Sequence, residues 1–377
     1  MDLSLTPAEV AFRDALREWL VANHPGPEPA DTEGSLEHRL RWQRTLFDAG
    51  YSGISWPLEH GGRGATLMEQ AIFNEELVRA RAPSPANIIG LVMGGPVIIT
   101  HGTDAQRARF LAPILSGEEI WCQGFSEPNA GSDLAALTTQ ALRADGGWTV
   151  SGQKVWTSYA HRARWCMLLA KTGGDDRHHN LTFFICDMQQ PGVEVRPLRQ
   201  ATGDSEFNEI FFTNAEVPDE NVVGSVGDGW KVAITTLMFE RAGLSAASAL
   251  AIQIKLDELA ELIRERGGQH DVTLSRRLSA LVVATETMRL NGYRGLSRVI
   301  EHGVPGPEGS MAKIQWADIN QRIGELAMDV LGQQALVSDP VWTRSMLRAR
   351  ANSIEGGTSE IQRNILAERV LNLPRMR

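Results

Sequence analysis

The hydrophobic period of this chain changes twice, and this change constrains its fold more than any other feature of the sequence. Apolar residues recur at helical spacing up to about residue 118, alternate in strand-like runs from Trp121 to about Val217, and return to helical spacing from Gly229. This order predicts an α+β chain of several domains, and 377 residues are enough for two or three cores. We expect an all-helical domain at 1–118, a β-barrel or β-sandwich domain at 119–226 and a four-helix bundle at 227–377.

Local capping signals divide the helical regions into individual helices. Thr6-Pro7-Ala8-Glu9 has the residues of a capping box, and Ser35 is the N-cap candidate for the next helix. Ser359 and Gln362 have the spacing of a second capping box, which would open the last helix. After the first helix, the pattern predicts helices at 36–49, 66–81, 88–100, 105–116, 230–266, 276–302, 310–332 and 359–371.

The stretch from Trp121 to Ser158 combines a turn rich in hydroxyl groups with a strand that ends in tryptophan. Its turn reads Ser126-Glu127-Pro128-Asn129-Ala130-Gly131-Ser132-Asp133, and the returning strand reads Gly152-Gln153-Lys154-Val155-Trp156-Thr157-Ser158. Each of these residues alone is typical of a surface turn beside a core tryptophan. Together, an indole face and nearby hydroxyl groups suit a flat heteroaromatic cofactor.

Charge and composition exclude several other classes of function. The formal net charge of −9 argues against a general nucleic-acid binder, although a local basic patch can still bind a polyanion such as CoA. Cys122, Cys166 and Cys186 lack metal-site spacing and are expected to be buried thiols, and His178-His179 is expected to be a solvated turn. No apolar run reaches the length of a membrane span and no targeting pattern opens the chain, so we expect a cytoplasmic protein.

The two motifs between Ser126 and Ser158 resemble the flavin-binding middle domain of the acyl-CoA dehydrogenase family. Further matches are Gly227-x-Gly229, Glu240-Arg241 and the segment from Ile354 to Arg363, so the resemblance covers nearly the whole chain. It implies an FAD-dependent oxidoreductase of lipid metabolism. Such an enzyme converts an acyl-CoA into a trans-2-enoyl-CoA by removing the α hydrogen as a proton and the β hydrogen as a hydride to flavin N5. It further implies a dimer or homotetramer, with an electron-transfer flavoprotein as the acceptor.

The resemblance leaves the catalytic base open between two glutamates. Most of the family has a glutamate directly before the Gly-Thr pair of the C-terminal motif, but here that position is Gly356 and the acid is one residue earlier, Glu355. A minority places the base before the arginine of the long helix, which corresponds to Glu240 before Arg241. Leu237 and Leu244, at helical spacing from Glu240, indicate an apolar surrounding that would raise its pKa. We therefore expect Glu240 to be the base, with Glu355 or no competent base as alternatives.

The resemblance also implies roles for the remaining site residues. Ser132 would lie near the flavin or the CoA arm, and Arg241 would support the thioester end of the substrate pocket. The sequence departs from the family's pattern in two segments, Arg266–Asp271 and Gly332–Leu336. In relatives these segments hold the adenine half of FAD. The residues implied to contact the cofactor are Phe125, Ser126, Trp156 and Ser158 around the isoalloxazine ring, and Thr358 and Glu360 at the last helix.

Two other functions remain open on the same fold. The chain could be a non-catalytic or half-site partner subunit that binds flavin or CoA only beside a homologue. It could also be a flavin monooxygenase, which would react with oxygen and would need no carboxylate base.

Overall fold

The computed structural model describes residues 4–29, 31–174, 176–242, 246–302, 306–336 and 340–374, with the side chains of 240–242, 246 and 340 outside the description. These residues form two compact units. The helical unit comprises Met1–His24, Thr66–Ala82 and Arg241–Arg377, and the sheet unit comprises Pro25–Ala65 and Pro83–Glu240. The domain boundaries expected after residues 118 and 226 stay a prediction.

The elements follow the predicted order of helices, strands and helices. The helices are α1 (Pro7–Asn23), α2 (Thr32–Asp48), α3 (Leu67–Arg79), α4 (Gly95–His101), α5 (Asp104–Ser116), α6 (Gly229–Ala242), α7 (Ala246–Glu265), α8 (Val272–His302), α9 (Glu308–Leu331), α10 (Pro340–Ala349) and α11 (Ser359–Arg369). The strands are β1 (Trp121–Gly124), β2 (Gln140–Ala144), β3 (Gly147–Ser158), β4 (Trp165–Lys171), β5 (Leu181–Asp187), β6 (Val193–Leu198), β7 (Phe207–Pro218) and β8 (Val222–Val223).

The strands of the sheet unit form one hydrogen-bonded sheet in the order β6-β7-β3-β2-β4-β5-β8, with β1 pairing parallel to β4. Its central strands are buried on both faces, which explains why β4 and β5 are continuous apolar runs. Met167 and Phe183 enter one buried cluster, which also holds Phe110 and Ile114 of α5. Leu168, one residue after Met167, enters the cluster on the other face.

Several helix starts differ from the prediction because another residue caps the helix. The helix expected to begin at residue 36 begins at Thr32, since the Asp31 carboxylate accepts the amide hydrogen of Gly34 at 2.7 Å. Ser35 therefore lies inside α2 and is not its N-cap. The helix expected from residue 276 begins at Val272, where Asp271 accepts from Thr273 N at 2.7 Å. The capping box of Thr6 and Glu9 is confirmed.

Other differences concern helix type and number. The helix expected at 88–100 begins at residue 88 but contains a π-helical turn, Gly90–Gly94, before α4. The prediction missed α10, in which Trp342 and Ala349 are the buried residues among the described side chains. The single helix expected at 230–266 stays a prediction, because α6 and α7 lie on either side of residues 243–245, outside the description.

The helical unit has its core between α7, α8 and α9. Leu256 and Leu259 of α7 pack with Leu281 of α8 and with Ile323 and Leu326 of α9. All five side chains are almost completely buried, which holds the three helices together through apolar burial. Among the described residues, no helix has the length and apolar character that would let it cross a membrane.

Candidate functional site

A buried ion pair fixes the turn that follows β1. Lys154 Nζ donates to Glu127 Oε1 at 2.9 Å and to Phe125 O at 3.0 Å, and the two charged side chains are 0% and 4% exposed. The Glu127 carboxylate also accepts from Thr138 N at 2.6 Å, Thr138 Oγ1 at 2.7 Å and Thr139 N at 2.9 Å. These bonds join the turn at 126–133 to the middle of β3, so the two motifs are held as one structure.

The ion pair shifts the pKa of both partners. Burial alone would raise the pKa of Glu127, but Lys154 and the donors of Thr138 and Thr139 outweigh it and lower the pKa to about 2. Burial lowers the pKa of Lys154 to about 8, although Glu127 acts in the opposite direction. Both groups are therefore charged at neutral pH. Prediction from the sequence assigned neither residue a role, although both stand inside the two motifs.

Trp156 lies at a distortion of strand β3. The register between β3 and β7 shifts between Lys154 and Thr157, and Trp156 has a φ of +61°. That conformation costs a bulky residue on the order of 1–3 kcal/mol. The indole is 62% exposed, and the Phe207 ring meets it edge-to-face at 6.2 Å. A strained backbone that presents a large aromatic face to solvent indicates a binding surface.

The predicted hydroxyl groups lie at different depths. Ser126 and Ser158 are half-buried, whereas Ser132 is exposed in the turn. Ser126 O accepts from Val155 N at 2.9 Å, which places this serine beside the residue that precedes Trp156. The Phe125 ring is buried and meets the Phe183 ring edge-to-face at 5.9 Å. Phe125 therefore has its backbone, and not its ring, near the turn.

Glu355 is held by two neighbours within the helical unit. Arg348 donates to both of its carboxylate oxygens at 3.1 and 2.9 Å, and Asn352 Nδ2 donates at 2.7 Å. The Glu355 side chain is 30% exposed. Gly356 and Gly357 follow with φ of +64° and +86°, a conformation that favours glycine. The Glu355 carboxylate, one residue before the family's usual position, is therefore hydrogen-bonded to residues of its own segment.

The N-cap of α11 differs from the prediction. Thr358 accepts from Ile361 N at 3.2 Å and has extended backbone, whereas Ser359 is buried and already helical. The capping box of Ser359 and Gln362 is therefore wrong, because the neighbouring hydroxyl occupies the capping position. Gln362 Nε2 instead donates to Gly356 O at 3.1 Å. Glu360 is exposed in the first turn of the helix.

The remaining predicted residues are placed as follows. Glu240 and Arg241 lie in α6, but their side chains and residue Leu244 are outside the described part of the chain. The three cysteines are buried free thiols, as predicted. The described residues contain no cluster of histidine, cysteine or acidic side chains that could hold a metal ion. The His178 ring lies 4.8 Å from the Trp230 ring.

Comparison with known proteins identifies the family. Residues 6–118 match the acyl-CoA dehydrogenase N-terminal domain, 122–215 match the middle domain, and 227–371 match the C-terminal domain. The chain belongs to the acyl-CoA dehydrogenase family. The resemblance and the fold class expected from the sequence are confirmed, and the chain is an oxidoreductase.

Relatives within the acyl-CoA dehydrogenase family match over most of the chain. Acyl-CoA dehydrogenase IpdE1 of Mycolicibacterium smegmatis is 41% identical over 97% of each protein. FadE34 of Mycobacterium tuberculosis is 42% identical over 88% of this chain but only 46% of its own length. Among solved structures, the ChsE4-ChsE5 complex from Mycobacterium tuberculosis has a TM-score of 0.86 at 28% identity and full coverage of both chains. A structure described as the Tcur3481-Tcur3483 steroid ACAD has a TM-score of 0.85 at 25% identity, also with full coverage.

Membership of the acyl-CoA dehydrogenase family implies a flavin cofactor, and the residues of the sheet unit suit one. Trp156 offers an exposed aromatic face. The half-buried Ser158 lies two residues after it, and the half-buried Ser126 is hydrogen-bonded through its carbonyl to Val155, so both can offer hydroxyl groups. A flavin has a flat apolar ring with a polar edge, which needs both kinds of group. The buried Lys154–Glu127 pair keeps the two segments together.

Proposed function

We propose that this protein is an FAD-dependent acyl-CoA dehydrogenase that forms a trans-2-enoyl-CoA from an acyl-CoA thioester. The observation that carries the proposal is the exposed Trp156, held at a positive φ within the residues that match the family's middle domain. A residue in a strained conformation persists only where the surrounding structure holds it, and such residues concentrate at functional sites. A bound flavin would supply the acceptor for the hydrogen leaving the β carbon.

The residues of the sheet unit would bind and orient the ring. Trp156 would pack against its face, and the hydroxyl groups of Ser126 and Ser158 would bond its polar edge. Phe125 would contribute its backbone, since its ring is buried in the core. Ser132, exposed in the turn, would contact the flavin or the CoA arm.

The residues of the helical unit would bind the anionic part of the cofactor. Thr358 caps α11, and the amide groups of a helix N-terminus favour negative charge. Glu360 in the same turn would need to bond hydroxyl groups and not phosphate, because its carboxylate is negative.

The α proton would be removed by Glu240 of α6. A carboxylate among apolar side chains has a raised pKa and is a stronger base for a weakly acidic C–H group. Glu355 is the alternative, but its bonds to Arg348 and Asn352 would have to break before it could accept a proton. Arg241, next to Glu240, would support the thioester end of the substrate.

A second function, a half-site subunit in a complex of two related chains, is favoured by the comparisons. Two of the similar structures, at 25% and 28% identity, carry two protein names in their descriptions. One of these descriptions, that of the Tcur3481-Tcur3483 steroid ACAD, favours a bulky, steroid-type acyl group as the substrate class. An electron-transfer flavoprotein would accept the electrons of either form.

The decisive experiment purifies the protein alone and measures its bound flavin and its reaction with acyl-CoA in the absence of oxygen. Straight-chain, branched and steroid-type acyl-CoA compounds form the panel. We expect a yellow protein whose flavin is bleached by at least one of them. Bleaching only after a homologous chain is added would favour the half-site subunit, and a flavin that reacts only when oxygen is present would favour the monooxygenase.

Two matched variants identify the base. Glu240→Gln should lower kcat about 10²- to 10⁴-fold, the usual contribution of a general base. Glu355→Gln should lower kcat by less than about tenfold, because amide and carboxylate have the same shape and the ion pair with Arg348 is half-exposed. Near-full activity of Glu240→Gln would exclude it as the base, and a large loss in Glu355→Gln alone would reverse the assignment.

A further inference from the structure

The sheet unit contains a cavity that the proposed dehydrogenase function does not use. Its volume is about 460 Å³, within the range of small-molecule sites. One of its lining residues, Ala160, lies two residues after Ser158, the last residue of β3. The cavity is an open pocket whose lining combines apolar side chains with a basic end. The argument uses six of the lining residues, Leu36, Ile120, Met188, Val195, His161 and Arg162.

The basic end is organised by a chain of hydrogen bonds. Asn208 Nδ2 donates to Thr157 O at 2.9 Å and to Glu206 O at 3.0 Å, so its Oδ1 is the acceptor for His161 Nδ1 at 2.9 Å. Burial lowers the pKa of His161, which favours the neutral ring. His161 Nε2 is then free to accept from Arg162 Nε at 3.2 Å. This chain fixes the plane of the Arg162 guanidinium.

A surface carboxylate occupies the outer side of that guanidinium. Arg162 Nη2 and Nη1 donate to the two oxygens of Glu33 at 2.7 and 3.3 Å, in the two-point geometry that suits a carboxylate. Arg162 is only 15% exposed, whereas Glu33 is 79% exposed. Arg162 is therefore held in place, whereas Glu33 is held only by an ion pair that solvent screens. Such an ion pair contributes little free energy.

We propose that this cavity binds a free amphipathic carboxylic acid, whose carboxylate replaces that of Glu33 on Arg162. Its apolar body would lie along Leu36, Met188 and Val195, which are half-buried or buried. The Glu33 carboxylate occupies the position on Arg162 that the ligand's carboxylate would take. Breaking its exposed ion pair, so that the side chain is solvated, costs little free energy. The proposal does not depend on the dehydrogenase reaction.

The test is a calorimetric titration of the purified protein with sodium octanoate, with 1-octanol as the neutral probe of the same chain length. We expect saturable binding of octanoate and none of octanol. Arg162→Met should weaken octanoate binding about tenfold or more, since it removes a charge-assisted hydrogen bond. Glu33→Gln should strengthen it about two- to fivefold, because the competing carboxylate is gone. Opposite effects at two contacting residues distinguish ligand competition from a loss of structure.

A matched control pair lies elsewhere in the same unit. Arg143 also donates from both terminal nitrogens to one carboxylate, that of Asp219. Arg143→Met and Asp219→Asn should leave octanoate binding within about twofold of the wild type. If Arg162→Met does not fold, Leu36→Trp provides the second test, because a larger side chain fills the cavity and should abolish binding.

Several outcomes would overturn the proposal. They are equal binding of octanol, no change in Arg162→Met, weaker binding in Glu33→Gln, or displacement of octanoate by an acyl-CoA that bleaches the flavin. The last result would place octanoate in the substrate site. Because the titration does not measure flavin reduction, a protein that fails to bleach can still bind octanoate, and the two proposals fail separately.

Discussion

The family motif of the sheet unit, at residues 126–158, and the C-terminal motif of the helical unit, at residues 354–363, each hold a glutamate in an ion pair. The two ion pairs differ in burial. In the sheet unit, Glu127 and Lys154 are 4% and 0% exposed. In the helical unit, Glu355 and Arg348 are 30% and 37% exposed. Both glutamates also accept further hydrogen bonds, so the number of bonds alone does not separate them.

Burial determines what each pair can do. Removing one partner of a buried pair leaves a charge without compensation, whereas a half-exposed pair is screened by water and contributes little. The first motif is therefore rigid, and a change there affects the whole sheet unit. The second motif tolerates change, which is consistent with Gly356 standing where most of the family has a glutamate.

The largest expected effect is the loss of Lys154. Lys154→Met should lower the free energy of unfolding by about 3–5 kcal/mol, because Glu127 stays buried without its cation. Arg348→Met, the matched change in the other motif, should cost about 1 kcal/mol or less. Urea denaturation measures both values. The double variant Lys154→Met, Glu127→Gln should recover part of the loss, and equal effects of the two single variants would remove the distinction between the motifs.

The pH dependence of stability sharpens the same comparison. The pKa of Glu127 is lowered from 4.5 to about 2 in the folded protein, so its stabilising contribution is complete above about pH 4.5 and is lost as pH falls towards 2. The contribution is on the order of 3 kcal/mol. The stability difference between wild type and Glu127→Gln should shrink as pH falls below about 4.5, because only the wild type loses the contribution of an ionised Glu127. A difference that stays constant down to pH 3 would contradict the lowered pKa.

A smaller effect is expected at Trp156, with opposite signs for stability and binding. Trp156→Gly removes the strain of a bulky residue at a positive φ. The free energy of unfolding of the flavin-free protein should therefore fall only slightly or rise by up to about 1 kcal/mol. Flavin affinity should fall about tenfold, since the aromatic face is gone. Asn214, an exposed residue of β7 with a φ of +52°, provides the control, because Asn214→Gly should leave flavin affinity unchanged. Unchanged flavin affinity in Trp156→Gly would separate the indole from the cofactor.

The smallest effect concerns the cap of α11. Thr358→Ala should lower the free energy of unfolding by about 1 kcal/mol, because the amide of Ile361 loses its acceptor. Ser359→Ala should have a smaller effect, since Ser359 is not the cap. Thermal unfolding of the two variants, side by side, checks the assignment. A larger loss in Ser359→Ala would restore the capping box expected from the sequence.

The sequence predicts those features that depend on local periodicity or on nearby residues. The continuous apolar runs at Cys166–Lys171 and Leu181–Asp187 predict strands, and β4 and β5 confirm them, because both faces of each strand are buried. Capping positions are harder, since Asp31 and Ser35, or Thr358 and Ser359, are all residue types that can cap a helix. Only the backbone conformation decides between such neighbours.

The structure of the site depends on long-range contacts that local patterns do not contain. Lys154 and Glu127 are 27 residues apart, and an alternating strand does not reveal that its lysine points inward. The positive φ of Trp156 follows from the shifted register between β3 and β7. The residue types of the motif indicated a cofactor, but the exposure of the indole required the structure.

The π-helical turn at Gly90–Gly94 makes chain length a constraint at this place in the fold. A π turn holds one residue more than an α turn, and each residue adds about 100° of rotation. Just beyond it, Gly95 faces the Trp56 indole so closely that an added Cβ would lie 1.9 Å from the ring. A single-codon deletion in this turn would restore a regular helix, yet it would swing Gly95 away and bring a bulkier neighbour against the indole. Alignments of homologues should therefore show substitutions here more often than gaps.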